Sequence, residues 1–75
     1  MDIKLAEIAA KSLHITIDQA LQNHKKIDNM DAYYFWQPIR GGASIIIDSN
    51  FEKLGATSSV SFERHLKAFL GGKRN

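Results

Sequence analysis

Four large aromatic residues stand in a row at Tyr33-Tyr34-Phe35-Trp36, and this run constrains the fold more than any other feature of the chain. Aromatic side chains favour strands. Successive strand residues point to opposite faces, so Tyr33 and Phe35 share one side while Tyr34 and Trp36 share the other. A sheet with one wet face normally alternates apolar and polar residues; this run does not. Ile45-Ile46-Ile47 repeats the pattern a few residues later. The two runs read as a hairpin, Ala32 to Gln37 and Ser44 to Asp48, with Ile39-Arg40-Gly41-Gly42 as the turn. Pro38 has no amide hydrogen and marks a strand end or an edge position. Bulky groups on both faces require cover on both faces, from this chain or from a partner.

The chain has 75 residues, enough for one domain spanning 1–75. A domain of this size buries only about 60% of the surface its unfolded chain exposes, so its stability is marginal. There is no cysteine, hence no disulfide and no thiolate metal site. That absence fits a reducing, cytoplasmic setting. Asp2 and Glu7 interrupt the first ten residues, which therefore do not read as a secretory signal, and no segment reaches the roughly 18 apolar residues of a membrane span. A formal charge of +2 points to neither a nucleic acid nor an anionic membrane as partner.

Ahead of the hairpin, Asp2 caps a helix in which Leu5, Ile8, Ala9 and Leu13 face one way. Thr16 and Gln19 form a capping-box pair, which predicts a second helix from Ile17 to about His24 with Ile17, Ala20 and Leu21 inward. One longer helix is the alternative, since no Gly or Pro enforces a break. Lys25-Lys26 is expected at the helix end, followed by a polar connection over Asp28 to Asp31. After the hairpin, Asp48-Ser49-Asn50 is a turn. Phe51 to Ala56 is read as a third strand with Phe51 and Leu54 inward, and Thr57 to Ser59 as a link. Ser61 caps a last helix carrying Phe62, His65, Leu66, Phe69 and Leu70 on one face. Gly71-Gly72 stops it, and residues 72–75 are a flexible tail. The predicted class is α+β: an N-terminal helix or helix pair, a three-stranded antiparallel meander and a C-terminal helix.

No pattern in the chain specifies catalysis. His14, His24 and His65 lack the spacing of a metal pair, and the bland reading of them is a turn, a helix-end cap and the rim of the core. Ser44, Ser58, Ser59 and Ser61 sit in no nucleophile-elbow motif. Asp48, Glu52 and Glu63 are separate acidic residues. Gly41-Gly42 lacks phosphate-loop spacing. No metal or cofactor is expected, and no enzyme. Residues 5–26 have some helix-turn-helix character, with Gln19, Gln22, Asn23 and Lys26 placed to reach DNA, but His14 stands where glycine is usual. The exposed-patch reading instead selects Tyr34 and Trp36 as buried anchors and Arg40 as a rim hydrogen-bond donor, the make-up of a protein interface. Lys53 and Arg40 are too few cations for a nucleic-acid stacking platform.

The order of features from Ala32 onward resembles the YrhB-type immunity proteins of polymorphic toxin systems, small bacterial α+β proteins. The shared features are the aromatic strand Ala32-Tyr33-Tyr34-Phe35-Trp36, the connection with Gly41-Gly42, the strand Ile45-Ile46-Ile47-Asp48, and Leu54-Gly55-Ala56-Thr57 before a last helix. The first connection is shorter here than in that family, and the N-terminal region is longer. The resemblance implies a cytoplasmic protein that binds a cognate toxin without catalysis, and it carries over no site residues. The expectation is therefore a protein-binding module, immunity- or regulator-like, whose partner is another protein or a second copy of itself. DNA binding through residues 5–26 is the alternative.

Overall fold

The computed structural model of the protein describes residues 2–57 and 59–74. The elements run α1 (Ile3–Leu13), α2 (Ile17–Gln22), β1 (His24–Lys26), β2 (Ala32–Trp36), β3 (Ser44–Asp48), β4 (Lys53–Ala56) and α3 (Phe62–Leu70). The four strands form one antiparallel sheet in the order β1-β2-β3-β4. The helix pair packs on one face and α3 on the other, so the chain itself supplies both covers that the hairpin demands.

The break between α1 and α2 is local chemistry. His14 takes the left-handed conformation, φ 57°, as the C-cap of α1. Thr16 then opens α2 with a complete capping box: its N–H donates to Gln19 Oε1 at 3.0 Å, and Gln19 N–H donates to Thr16 Oγ1 at 3.1 Å. At the start of α1, Asp2 accepts from Lys4 N–H at 3.0 Å. Leu5, Ala6, Ala9, Ala10, Leu13 and Ala20 then bury against Phe35, Ile45 and Ile47. The small alanines let α1 lie close to the sheet. Ile17, expected inward, is 40% exposed because it occupies the first position of a six-residue helix.

The opposite face holds Ile27, Ala32, Ile46 and Phe69, with Tyr34, Leu54, Phe62 and Leu66 packed around them. Leu70, read as part of the buried face of α3, is 63% exposed and closes the helix. The tail beyond it is docked: Arg74 Nη1 donates to Phe69 O at 2.6 Å, and the guanidinium lies 3.8 Å over the Phe69 ring.

Two expectations about the strands are corrected. The meander has four strands, because His24-Lys25-Lys26, read as a helix end, pairs with β2. Asn23 turns the chain at φ −120°, ψ 60°, and Trp36 N–H donates to Asn23 O. His24 combines both roles: its backbone joins the strand while its Nδ1 meets Leu21 O, in the last turn of α2, at 2.6 Å. Lysines on so short an edge strand discourage pairing with another chain.

The second correction concerns Phe51. Asp48 Oδ1 accepts from Asn50 N–H at 2.9 Å and from Glu52 N–H at 3.0 Å, and Asp48 O accepts from Phe51 N–H. This turn delays β4 to Lys53. It leaves Phe51 46% exposed, in the left-handed region at φ 64°. That conformation costs an ordinary residue roughly 1–2 kcal/mol. Phe51→Gly is therefore expected to raise the unfolding free energy by about 0.5–1 kcal/mol. Urea denaturation followed by Trp36 fluorescence measures this, and a lowered midpoint would mean that the ring's contacts outweigh its backbone strain.

Candidate functional site

The register of the sheet places Lys25, Tyr34, Ile46 and Leu54 in one row on the α3 face, and Trp36, Ser44 and Ala56 in the next. α3 begins at Phe62, whose ring meets Tyr34 edge-on with centroids 4.7 Å apart. The helix has nine residues, a length of roughly 13 Å. It lies over the first row through Phe62 and meets Ser44 of the second through His65. Above Trp36 the sheet is left open, and a cavity of about 360 Å³ results, lined by Lys25, Tyr34, Trp36, Ile39, Thr57 and Val60 together with the β2–β3 connection and Ser44. Its volume lies at the small end of ligand pockets.

The connection that forms one wall is held by backbone bonds, Gln37 N–H to Ala43 O and Gly42 N–H to Ile39 O, and by one side chain. Gln37 Oε1 accepts from Ala43 N–H at 2.7 Å, while Gln37 Nε2 donates to Leu13 O at 2.6 Å, tying the turn to the end of α1. Gly41 supplies the positive φ, 75°. Gly42 is needed for a different reason: a Cβ there would stand 2.7 Å from Gln37 Cβ and 2.9 Å from Ile39 Cγ1. Ile39 projects from this turn with 65% exposure.

Another wall is braced by a buried polar pair. His65, 1% exposed, has its Nε2 2.5 Å from Leu54 O and its Nδ1 3.2 Å from Ser44 Oγ. A carbonyl can only accept, so Nε2 carries the hydrogen, and in the neutral imidazole Nδ1 accepts from the Ser44 hydroxyl. These two bonds tie α3 to β4 and β3. His65, read from the sequence as rimming the core, is thus among its most buried residues. Its pairing with Ser44 has the composition of a nucleophilic dyad, and in the fold its two bonds hold the layers together. Among the described residues, every buried polar side-chain atom has a hydrogen-bond partner.

Of the three residues selected from the sequence, the structure brings Tyr34 and Trp36 together, with ring centroids 5.6 Å apart. Their roles differ. Tyr34 is half-buried beneath Phe62 and beside His65, at 5.9 Å, and belongs largely to the protein's own packing. Trp36 is half-buried and faces the cavity. Arg40 is exposed in the turn between Ile39 and Gly41, flanking the opening without lining it. Lys25, Gln37, Ile39, Thr57 and Val60 were not anticipated. Lys25 was assigned to a helix end, where it would have pointed elsewhere. Its Nζ lies 3.8 Å over the Phe62 ring and 5.7 Å from the Tyr34 centroid.

The other sequence candidates are dispersed. Among the described residues no three His, Asp or Glu side chains gather as a metal-ligand set. Ser58 lies outside the described residues, and Ser61 is the α3 cap, accepting from Arg64 N–H. In the helix-turn-helix segment, α2 is only six residues long, the side chains of Gln19 and Asn23 are engaged at its two ends, and Lys26 lies on β1, donating to Met30 O. No helix among the described residues is long and apolar enough to cross a membrane. The chain matches no protein-family model, no curated protein and no solved structure at a significant level.

Two variants probe this construction. Ser44→Ala strands the acceptor of a buried imidazole and is expected to cost about 1–3 kcal/mol, read by urea denaturation. A neutral result would show that His65 is held by Leu54 alone. Gly42→Ala forces the turn off Gln37, with an expected cost of about 1–3 kcal/mol and a shift in Trp36 emission as the cavity wall moves. An unchanged spectrum and midpoint would show that the wall yields freely.

Proposed function

We propose that the protein is a non-catalytic binding module, immunity- or regulator-like, that receives a side chain of a protein partner in the cavity over Trp36. The observation that carries this reading is the placement of Trp36. The sole tryptophan of the chain is half-buried beside a cavity of about 360 Å³, next to the projecting Ile39, on the sheet face that α3 covers in part. Tryptophan is among the residues enriched at the hot spots of protein interfaces. Arg40 and Lys25 stand at the edges, where cations contribute to orientation and encounter rate more than to affinity. Inhibition or regulation by binding needs such a surface and no chemistry.

Photo-crosslinking tests this reading directly. A benzophenone amino acid placed at position 39, in cells expressing the chain, is expected to capture one predominant protein. Excess parent chain should suppress the product, while folded Trp36→Ala should compete at least about 30-fold less well, the loss typical of a hot-spot residue. Competition by Trp36→Ala equal to the parent would remove the cavity from the interface. Capture of the chain itself would identify the partner as a second copy.

A further inference from the structure

We infer that the occupant of the Trp36 cavity is an aromatic side chain flanked by carboxylates, so that the partner presents an acidic, aromatic segment. This rests on the docking role proposed above and specifies its chemistry.

The argument begins with charge. The cavity lining contains one ionisable cation, Lys25, and no acidic residue. Arg40 sits between two lining residues, Ile39 and Gly41, and adds a second positive charge at the opening. The only ion pair among the described residues is Arg74 with Glu52, at 3.8 Å, so neither Lys25 nor Arg40 has a carboxylate partner there. Lys25 Nζ instead rests against the Phe62 ring, its charge balanced only by an aromatic face and solvent. A second depression, of about 270 Å³, shares Lys25 and adds Lys26 and Asp28, two cations to one acid, and Lys26 Nζ donates there to Met30 O. A carboxylate arriving at the opening meets uncompensated positive charge. An ammonium or guanidinium meets repulsion, although the tryptophan and tyrosine rings would otherwise favour a cation.

The apolar floor gives the second half. Tyr34 and Trp36 are inclined at 32°, and Phe62 meets Tyr34 at 75°, so the wall is already a cluster of offset and edge-on rings. A further ring extends that cluster in the geometry aromatic pairs prefer. The polar groups of the wall are largely spent within the protein: Gln37 on Leu13 and Ala43, Ser44 on His65, Thr57 on Ser59. The aromatic faces, the Tyr34 hydroxyl and the Trp36 indole N–H are what a guest meets inside the cavity, while the charge at its edge remains free.

The sole tryptophan is the reporter. Four blocked peptides, acetyl-Glu-Phe-Glu-amide, acetyl-Gln-Phe-Gln-amide, acetyl-Lys-Phe-Lys-amide and acetyl-Glu-Ala-Glu-amide, are titrated against the full chain with selective excitation of Trp36, which their own side chains do not absorb. The acidic phenylalanine peptide is expected to bind about five-fold more tightly than the glutamine peptide at low salt, the advantage shrinking as salt is raised. The lysine peptide should be the weakest of the three that carry phenylalanine, and replacing phenylalanine by alanine should cost at least about ten-fold. In Lys25→Gln the acidic and neutral peptides should approach one another while the dependence on phenylalanine persists. Equal binding of the acidic, neutral and basic peptides, or indifference to the loss of phenylalanine, overturns the inference. If no peptide perturbs Trp36 while crosslinking from position 39 still depends on Trp36, this chemistry is wrong and the docking role stands. If that dependence is absent as well, both fall.

Discussion

The hairpin of β2 and β3 fully buries aliphatic and aromatic side chains on both of its sides, and the rest of the molecule is arranged to allow this. Ile45, Ile46, Ile47, Phe35 and Ala32 are each at most 2% exposed. With consecutive isoleucines pointing in opposite directions, one helical layer cannot shelter them. α1 and α2 take Phe35, Ile45 and Ile47, and α3 takes Ala32 and Ile46. A chain of 75 residues thus builds three layers, with two small apolar clusters in place of one large core. Each cluster is thin, so the connections between layers matter. Gln37 joins the β2–β3 turn to α1, and His65 joins α3 to β3 and β4. Both are polar residues whose bonds are worth most where water is absent.

The cavity follows from the same economy. A helix of nine residues leaves part of the sheet uncovered. The row containing Trp36 and Ser44 is where cover runs out, and only Ser44 is reached, through His65. Lengthening α3 at its N-terminus would close the gap, but Ser61 fixes the start by capping Arg64 N–H. The opening is thus defined by a cap, a glycine whose missing Cβ lets the turn pack against Gln37, and a buried histidine. None of these three need touch a ligand to set the cavity's shape.

Much of this fold was legible in the chain. Asp2, the Thr16–Gln19 box and Ser61 are local signals, and each caps the helix expected of it. The facing of Tyr33 and Phe35 against Tyr34 and Trp36 follows from strand geometry alone, and the two clusters divide accordingly. What was not legible depended on contacts distant in sequence or on side chains competing for the backbone. β1 has three residues, two of them lysine, and is a strand only because β2 offers it a ladder; the Lys-rich edge ahead of an aromatic strand was the available clue. Phe51 looks like a strand residue until Asp48 takes the amides on either side of it. The candidate site divides in the same way. Tyr34 and Trp36 could be paired from periodicity, whereas Lys25 and Val60 join them only through the sheet register and the start of α3.

The divergence between Tyr34 and Trp36 shows why an apolar face alone does not define an interface. Both residues lie on the same side of β2, two positions apart, and composition cannot rank them. Phe62 ranks them, by landing on Tyr34 and stopping there. The tyrosine's ring is then spent on intramolecular packing, and any partner must reckon with disturbing α3 to reach it. The tryptophan keeps one side of its indole toward the cavity, so contact there removes apolar area from water without breaking a native contact. Affinity at such a site comes from filling space that the fold leaves open, and selectivity from the charges that the fold leaves unpaired at its edge.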